Sequence, residues 1–233
     1  MNLKIKKEIS ITSPDLWKLL APPMDGDKQW KEGRSAWSLA KFATDSALVN
    51  KVLKPVLQNL GYRTSGDITC IPEAVTPLFG RGNDRNHDLL MIGKDFVCGI
   101  EAKVTEPFGN IIGKDLTEAS DNRLGRIESM INVLFGCKLT EDFLNLRYQL
   151  LTGTVGTFLE ANKNHKKKAL FLVIVFTDTI SEKDSTAVAR NNEDYENFCK
   201  MLGLGKEGGT IKVSSVDLTI KKIEVSLKKQ YKG

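Results

Sequence analysis

Residues 86–104, NHDLLMIGKDFVCGIEAKV, decide the fold that the sequence predicts. Two runs rich in apolar residues, 87–92 and 96–104, flank the tripeptide GKD, and this arrangement is typical of a β-hairpin. With a tight turn, the antiparallel register places Asp88 opposite Glu101, where the Cβ atoms of paired residues lie about 5 Å apart. The sequence therefore predicts two adjacent strands that bring two carboxylates together.

The second strand of this hairpin carries its charged residues on one face. Side chains alternate along a strand, so Glu101 and Lys103 share a face with Gly99. A shifted turn would place Asp88 opposite Gly99 instead, still on this face. Two carboxylates so close need a cation between them, and their hard oxygen ligands suit Mg²⁺ or Mn²⁺. Lys103 would orient or deprotonate a water, or stabilise the transition state, so the pattern indicates phosphodiester hydrolysis.

The same stretch resembles the PD-(D/E)xK motif of the restriction-endonuclease-like nuclease superfamily. Asp88 matches the first acidic position, Glu101 the second and Lys103 the lysine, whereas His87 stands where the motif has proline. The resemblance implies an α/β fold, with a mixed central sheet flanked by helices and an α-β-β-β-α-β core. It also implies a Mg²⁺- or Mn²⁺-dependent endonuclease that cuts DNA in restriction, phage defence or repair. The segments KVTEPFG and LRYQLL further resemble an uncharacterised bacterial family placed near this superfamily.

Three further residues are candidates for the same site. Glu73 lies upstream, where such enzymes often supply another acidic ligand, and Glu106 follows the lysine. Either would extend the set of metal ligands, but we prefer a solvated loop residue for Glu73 and a turn cap for Glu106. In the related nucleases a glutamine on the helix after the motif helps to orient the site. Gln149 takes that role by resemblance, and a helix surface is the alternative.

Four arginines are candidates for a phosphate-binding rim: Arg81, Arg85, Arg123 and Arg126. The first two precede Asp88 in the segment RGNDRNHD, and the last two would share a helix face at i, i+3 spacing. Solvated surface arginines explain the same positions equally well. Their place in the fold relative to Asp88 decides between the two interpretations.

The rest of the chain predicts helices on both sides of the hairpin. Helical periodicity covers residues 34–45, 48–60, 122–135, 140–162 and 191–202. Residues 168–177 predict a strand covered on both faces, and residues 216–227 predict an alternating strand. We expect one domain over residues 1–233, with an irregular segment 1–33, N-terminal helices 34–62 and the nuclease-like core 63–233. A mixed sheet with helices on its faces accounts for this order of elements.

Composition narrows the classes of function. The chain has 233 residues and a net charge of +5, which permits a nucleic-acid partner without requiring one. With only two histidines, His87 and His165, a His-rich zinc centre is excluded. No apolar run approaches the roughly 20 residues of a membrane span, and the N-terminus lacks the apolar core of a signal peptide. We therefore expect a cytoplasmic protein with no membrane partner.

Several functions remain open at this point. DNA is the expected partner, and the analogy with duplex-cutting enzymes adds a homodimer as one expected assembly. The first alternative is a catalytically silent protein of the same fold that binds nucleic acid or protein. The second is a metal-dependent hydrolase acting on nucleotides or another phosphoester. A broad basic groove would favour the nuclease, and a small closed pocket would favour the second alternative.

Overall fold

The computed structural model describes residues 2–5, 9–23, 26–80, 84–117 and 120–228. These residues form eight strands: β1 (Asn2–Ile5), β2 (Ile9–Ser10), β3 (Thr69–Thr76), β4 (Arg85–Ile92), β5 (Phe96–Lys103), β6 (Lys168–Phe176), β7 (Gly208–Val213) and β8 (Val216–Val225). Their order across the sheet is β2-β1-β3-β4-β5-β6-β8-β7. The pairs β1–β3, β5–β6 and β6–β8 are parallel and the other neighbours are antiparallel. The predicted α/β class with a mixed sheet is confirmed.

The helices precede and follow the central strands. They are α1 (Pro14–Leu20), α2 (Ser35–Thr44), α3 (Ser46–Leu48), α4 (Lys54–Asn59), α5 (Ile112–Thr117), α6 (Asp121–Phe135), α7 (Tyr148–Lys163) and α8 (Ser185–Met201). A π-helical turn, Val49–Leu53, joins α3 to α4. The order α4, β3, β4, β5, α6 and α7, then β6 gives the predicted α-β-β-β-α-β succession of elements. In the described part of the chain, no helix has the length and apolarity needed to span a bilayer.

Helices cover both faces of the sheet because its central strands are apolar on both sides. Ile100 of β5 and Leu172 of β6 belong to a buried cluster with residues of α1, α2 and α4. Val97 and Val173 lie on the same two strands but point to the other face of the sheet. They belong to a second cluster with residues of α6, α7 and α8. Strands that read as continuous apolar runs are typical of sheets buried on both faces. The candidate site lies on the face covered by α7.

Several element boundaries differ from the sequence prediction. The segment predicted to be irregular, 1–33, contains β1, β2 and α1, and Ser13 caps α1 by accepting a hydrogen bond from the Leu16 N–H. β3 was missed because Pro72 in its middle argues against a strand. α7 begins at Tyr148 rather than at 140, since the chain before it forms a separate 3₁₀ turn, Glu141–Phe143. α8 begins at Ser185, earlier than predicted, because its first turns have no buried residue and so no apolar face that marks them as helical.

Glycines let α7 lie close to the sheet. A Cβ atom at Gly153 would lie 2.4 Å from Cε2 of Phe171 on β6. One at Gly156 would lie 3.0 Å from Nε2 of His87 on β4. Real Cβ atoms do not approach neighbours as closely as the first of these distances, so a side chain at 153 forces the core to move.

Gly153→Ala is therefore expected to lower the free energy of unfolding by about 1 to 3 kcal/mol. Gly125→Ala is the matched control, because Gly125 is an exposed interior residue of α6 and nothing lies within 4 Å of its added Cβ. Removing that glycine is expected to stabilise the protein by up to about 1 kcal/mol. Urea unfolding of both variants measures the difference. Shifts of the same sign and size would contradict this account of how α7 packs.

Candidate active site

The β4–β5 hairpin has the predicted tight turn. The Gly93 N–H donates a hydrogen bond to the Phe96 carbonyl at 2.9 Å. Residues 89–92 pair with β5 in the register that this turn sets. One residue further along, the same register places Asp88 opposite Glu101, as predicted for the unshifted turn. The two carboxylates therefore extend from neighbouring strands.

The ladder between β4 and β5 ends where the site begins. The main-chain pairing of β4 with β5 stops at Leu89. Beyond it, the side chain of Asp88 binds β5, because its Oδ2 accepts a hydrogen bond from the Ala102 N–H at 2.7 Å. This contact holds one Asp88 oxygen against β5. The side chain of Asp88 thus replaces a main-chain partner of β5 and lies beside Glu101 in the cavity.

Glu73 adds a third carboxylate to the same row. β3 pairs with β4 on both sides of Glu73, in a register that places it opposite Asp88. The interpretation of Glu73 as a solvated loop residue is wrong, because it is a half-buried residue of β3 that lines the cavity. Its Oε2 accepts a hydrogen bond from Nδ2 of Asn86 at 2.5 Å. Burial, and then the charge of Asp88, raise the pKa of Glu73 to about 8.

Glu101 is the buried centre of the site. Its Oε1 lies 2.6 Å from Nζ of Lys103, and its Oε2 contacts the Arg85 guanidinium. The Glu101 side chain is 1% exposed and the two cations are 7% and 6% exposed. Burial alone would raise the pKa of Glu101, but the charges of Arg85 and Lys103 hold it well below its usual value. Glu101 is therefore a fixed negative charge.

The pKa of Asp88 is shifted in the opposite direction to that of Glu101. Burial raises the pKa of Asp88, and the nearby charge of Glu101 raises it further. Lys103 and Arg85 offset only part of this increase. Two adjacent carboxyl groups with opposite pKa shifts are a feature of functional sites, because such pairs are expensive to bury for structural purposes alone.

Gln149 contacts Lys103 at the start of α7. Lys103 Nζ donates a hydrogen bond to Gln149 Oε1 at 3.1 Å. Gln149 lies in the first turn of α7, and its main-chain N–H donates to the Phe108 carbonyl at 3.2 Å. The Phe108 ring lies beneath the ammonium group, with its centroid 5.6 Å from Nζ. Lys103 is thus held between Glu101, Gln149 and an aromatic face.

Glu106 has a structural role in place of the proposed metal-ligand role. Its Oε2 accepts hydrogen bonds from the main-chain N–H groups of Val104 and Thr105, at 2.8 and 3.1 Å. Its Oε1 accepts from the Ser35 N–H at 3.3 Å. Both oxygens are engaged by the main chain, so Glu106 caps the turn after β5 and fastens α2 to it. Of the two roles considered for Glu106, the turn cap is the one that its contacts support.

Three of the four candidate arginines line one cavity with the carboxylates. The cavity has a volume of about 880 Å³, and Arg85, Arg123 and Arg126 all border it. Arg123 pairs with Asp115 at 2.7 Å, and Arg126 Nε donates to the Phe79 carbonyl at 2.9 Å. Arg81 lies outside the described residues. The interpretation of Arg85 and Arg126 as solvated surface residues is wrong, because both side chains are buried.

The comparisons with known proteins identify a family. A family model described as Domain of unknown function (DUF6946) matches residues 10–227. The chain belongs to this family. No curated protein and no solved structure matches the chain. The matched range includes the whole lining of the cavity, from Lys28 to Thr152.

Sequence reasoning missed one wall of this cavity. Lys28, Gln29, Arg34 and Ser35, from the segment before α2 and its first turn, line the cavity. No local pattern in the sequence connects these residues with the hairpin. The hydrogen bond from Ser35 to Glu106 makes the connection, and only the folded chain reveals it.

His87 is a packing residue. It is fully buried, and neither ring nitrogen has a hydrogen-bond partner among the described residues. A Cβ atom on Gly99 would lie 2.9 Å from its Cε1 and Nδ1, so the ring fills the space that this glycine leaves. Burial, and then the charge of Arg85, lower the pKa of His87 to about 3. The imidazole is therefore neutral at physiological pH.

The carboxylates fit a divalent cation that takes few of its ligands from the protein. Over the described ranges, no three His, Cys, Asp or Glu side chains are arranged to hold a metal ion together. Mg²⁺ commonly binds one or two carboxylates and fills its other positions with water and substrate phosphate. Asp88 and Glu101 fit that arrangement, with Glu73 next in the row. A metal ion at Glu101 would then share this carboxylate with Arg85 and Lys103.

Proposed function

We propose that the protein is a Mg²⁺- or Mn²⁺-dependent nuclease of the PD-(D/E)xK type that hydrolyses DNA phosphodiester bonds. The observation that carries the proposal is the convergence of Asp88, Glu101 and Lys103 on one cavity bordered by arginines. A cytoplasmic location is part of the proposal, and so are roles in restriction, phage defence or repair. The free state of all four cysteines is consistent with a reducing compartment.

Asp88, Glu101 and Lys103 would have different roles in the hydrolysis. Asp88 and Glu101 would hold the metal ion, which when bound lowers the pKa of a coordinated water and offsets charge on a phosphoryl oxygen. Lys103, fixed by Glu101 and Gln149, would orient the attacking water and stabilise the charge that develops on the phosphorus oxygens. A lysine fixed by two partners has little freedom left to lose in the transition state.

The arginines and the N-terminal wall would position the substrate. Arg123 and Arg126 on α6 and the cations Lys28 and Arg34 border the same cavity as the carboxylates. Cations around an acidic centre suit a phosphate backbone, because its charge is neutralised at the rim while the metal ion occupies the centre. This arrangement supports a nucleic-acid strand as the substrate.

Asp88→Asn tests the proposal with little change in shape. We expect Mg²⁺-dependent nicking of plasmid DNA, or cleavage of labelled single-stranded DNA, to fall at least about a hundredfold, because the metal loses a charged ligand. Asp142→Asn, an exposed residue after α6, is the matched control and should cleave like the wild type. Activity that persists in Asp88→Asn, or in EDTA, would place the reaction at another site or in a contaminant.

A second candidate function is hydrolysis of a nucleotide or another small phosphoester. The cavity volume of about 880 Å³ favours it, because sites for small ligands typically measure roughly 300 to 1,000 Å³. Assays with nucleotides and with bis(p-nitrophenyl) phosphate, run beside DNA, separate the two reactions. If the folded protein cleaves none of these substrates, the catalytically silent binding module becomes the better interpretation.

A further inference from the structure

Glu101 already has a cation on each of its oxygens. Lys103 occupies Oε1, and the Arg85 guanidinium occupies Oε2. All three side chains are buried, so these contacts are screened little by water. A divalent ion that binds Glu101 with both cations in place would be repelled by two buried positive charges. Loss of one of these two contacts therefore favours metal binding at Glu101.

The two cations are not held equally. Lys103 has a second hydrogen-bond partner in Gln149 Oε1 and lies over the Phe108 ring. Arg85 Nε is buried, and the described chain provides no hydrogen-bond partner for it. A guanidinium has five N–H donors, and its planar fork matches phosphate as well as carboxylate. Arg85 is therefore the cation that exchanges most readily, and its side chain borders the cavity where a phosphate would lie.

We propose that Arg85 is the resident counter-cation of Glu101, which the divalent metal ion displaces and which then binds the substrate phosphate. This inference rests on the proposed function, because it takes Glu101 to be a metal ligand. It adds that Arg85 opposes metal binding in the free protein. Two positive groups on one buried oxygen repel each other strongly, so the metal and the arginine compete for the same carboxylate.

The test measures metal binding directly, without any cleavage assay. Isothermal titration of the metal-free protein with Mn²⁺ is compared for the wild type, Arg85→Gln and Arg123→Gln. We expect Arg85→Gln to bind Mn²⁺ about tenfold more tightly, since Glu101 Oε2 is freed and a positive charge is removed. Arg123→Gln removes the same charge from the same cavity, but Arg123 pairs with Asp115. We expect its affinity to stay within about twofold of the wild type, because the pairing with Asp115 and the 39% exposure of the Arg123 side chain screen its charge.

The outcomes separate this inference from the proposed function. Equal Mn²⁺ affinities in wild type and Arg85→Gln would overturn the role of Arg85 and leave the metal site intact. Weaker binding in Arg85→Gln would overturn it too. If Mn²⁺ binds to none of the three proteins, the proposed metal-dependent function and the inference both fail.

A measurement on the wild type covers the case in which Arg85→Gln does not fold. In protein labelled with ¹⁵N-arginine, the Nε–Hε signal of Arg85 is followed by NMR during titration with Mg²⁺. The signal is assigned with Arg85→Lys, which keeps the charge at this position. Displacement from Glu101 is expected to shift the signal and to speed its exchange with solvent. A signal that stays unchanged at saturating Mg²⁺ would overturn the proposal.

Discussion

Lys103→Met is expected to lower the rate of DNA cleavage about a thousandfold, within the range for loss of a group that acts in the transition state. Methionine keeps the unbranched stem that packs near Phe108, but it removes the ammonium group that contacts Glu101 and Gln149. The loss should appear mainly in kcat, because the arginines proposed to bind the substrate are unchanged. Single-turnover cleavage of a labelled duplex measures the chemical step.

Two further variants serve as a control for this result and as a test of what Lys103 does. Lys138→Met makes the same change at an exposed position in the loop after α6, and its activity should match the wild type. Lys103→Arg keeps the positive charge but cannot give up a proton. Partial activity in Lys103→Arg would indicate electrostatic stabilisation, and none would indicate a lysine that accepts the proton. A Lys103→Met protein with wild-type kcat would remove Lys103 from the mechanism.

Glu101→Ala is expected to lower the free energy of unfolding by about 3 to 5 kcal/mol, the range for removing one partner of a buried ion pair. Arg85 and Lys103 would remain buried without their shared counter-charge. The cost comes from these two cations more than from the lost hydrogen bonds. Urea unfolding at neutral pH measures it.

The control and the compensating variant use the same measurement. Glu128→Ala on the exposed side of α6 should change the free energy of unfolding by less than about 0.5 kcal/mol. Adding Arg85→Met and Lys103→Met to Glu101→Ala should recover much of the loss, because an apolar replacement of a whole buried ion group is often tolerated. If Glu101→Ala is as stable as Glu128→Ala, the buried charges are not balanced by Glu101.

The hairpin could be predicted because its information is local. A strand has a period of two, so the alternation in β5 places Glu101 and Lys103 on one face once the strand is recognised. A tight turn then fixes the register, and the position of Asp88 follows. These steps need no knowledge of the remaining chain. The same locality explains why β6, a continuous apolar run, was predicted almost to the residue.

The rest of the site depends on contacts that sequence spacing does not encode. Glu73 has a left-handed main chain, with a φ of 48°, in a strand that also contains a proline. Both features argue against the strand in which it lies. The pairing of Arg85 with Glu101 depends on the conformation that the long Arg85 side chain adopts in the folded protein. Lys28 and Gln29 line the cavity through the fold of the segment before α2, whose start contacts Glu106, far along the chain.

The parallel pairing of β5 with β6 has a consequence for how the protein is made. Glu101 and Lys103 lie on a strand whose second neighbour is synthesised only after the whole of α5, α6 and α7. Contacts between distant parts of a chain form slowly, because the intervening segment must first give up its freedom. A chain growing on the ribosome therefore contains Asp88, Glu101 and Lys103 well before β6 can pair with β5. β7 and β8, made later still, extend the sheet beyond β6. The newly made protein thus gains the strand that supports Glu101 from its second side only late in synthesis.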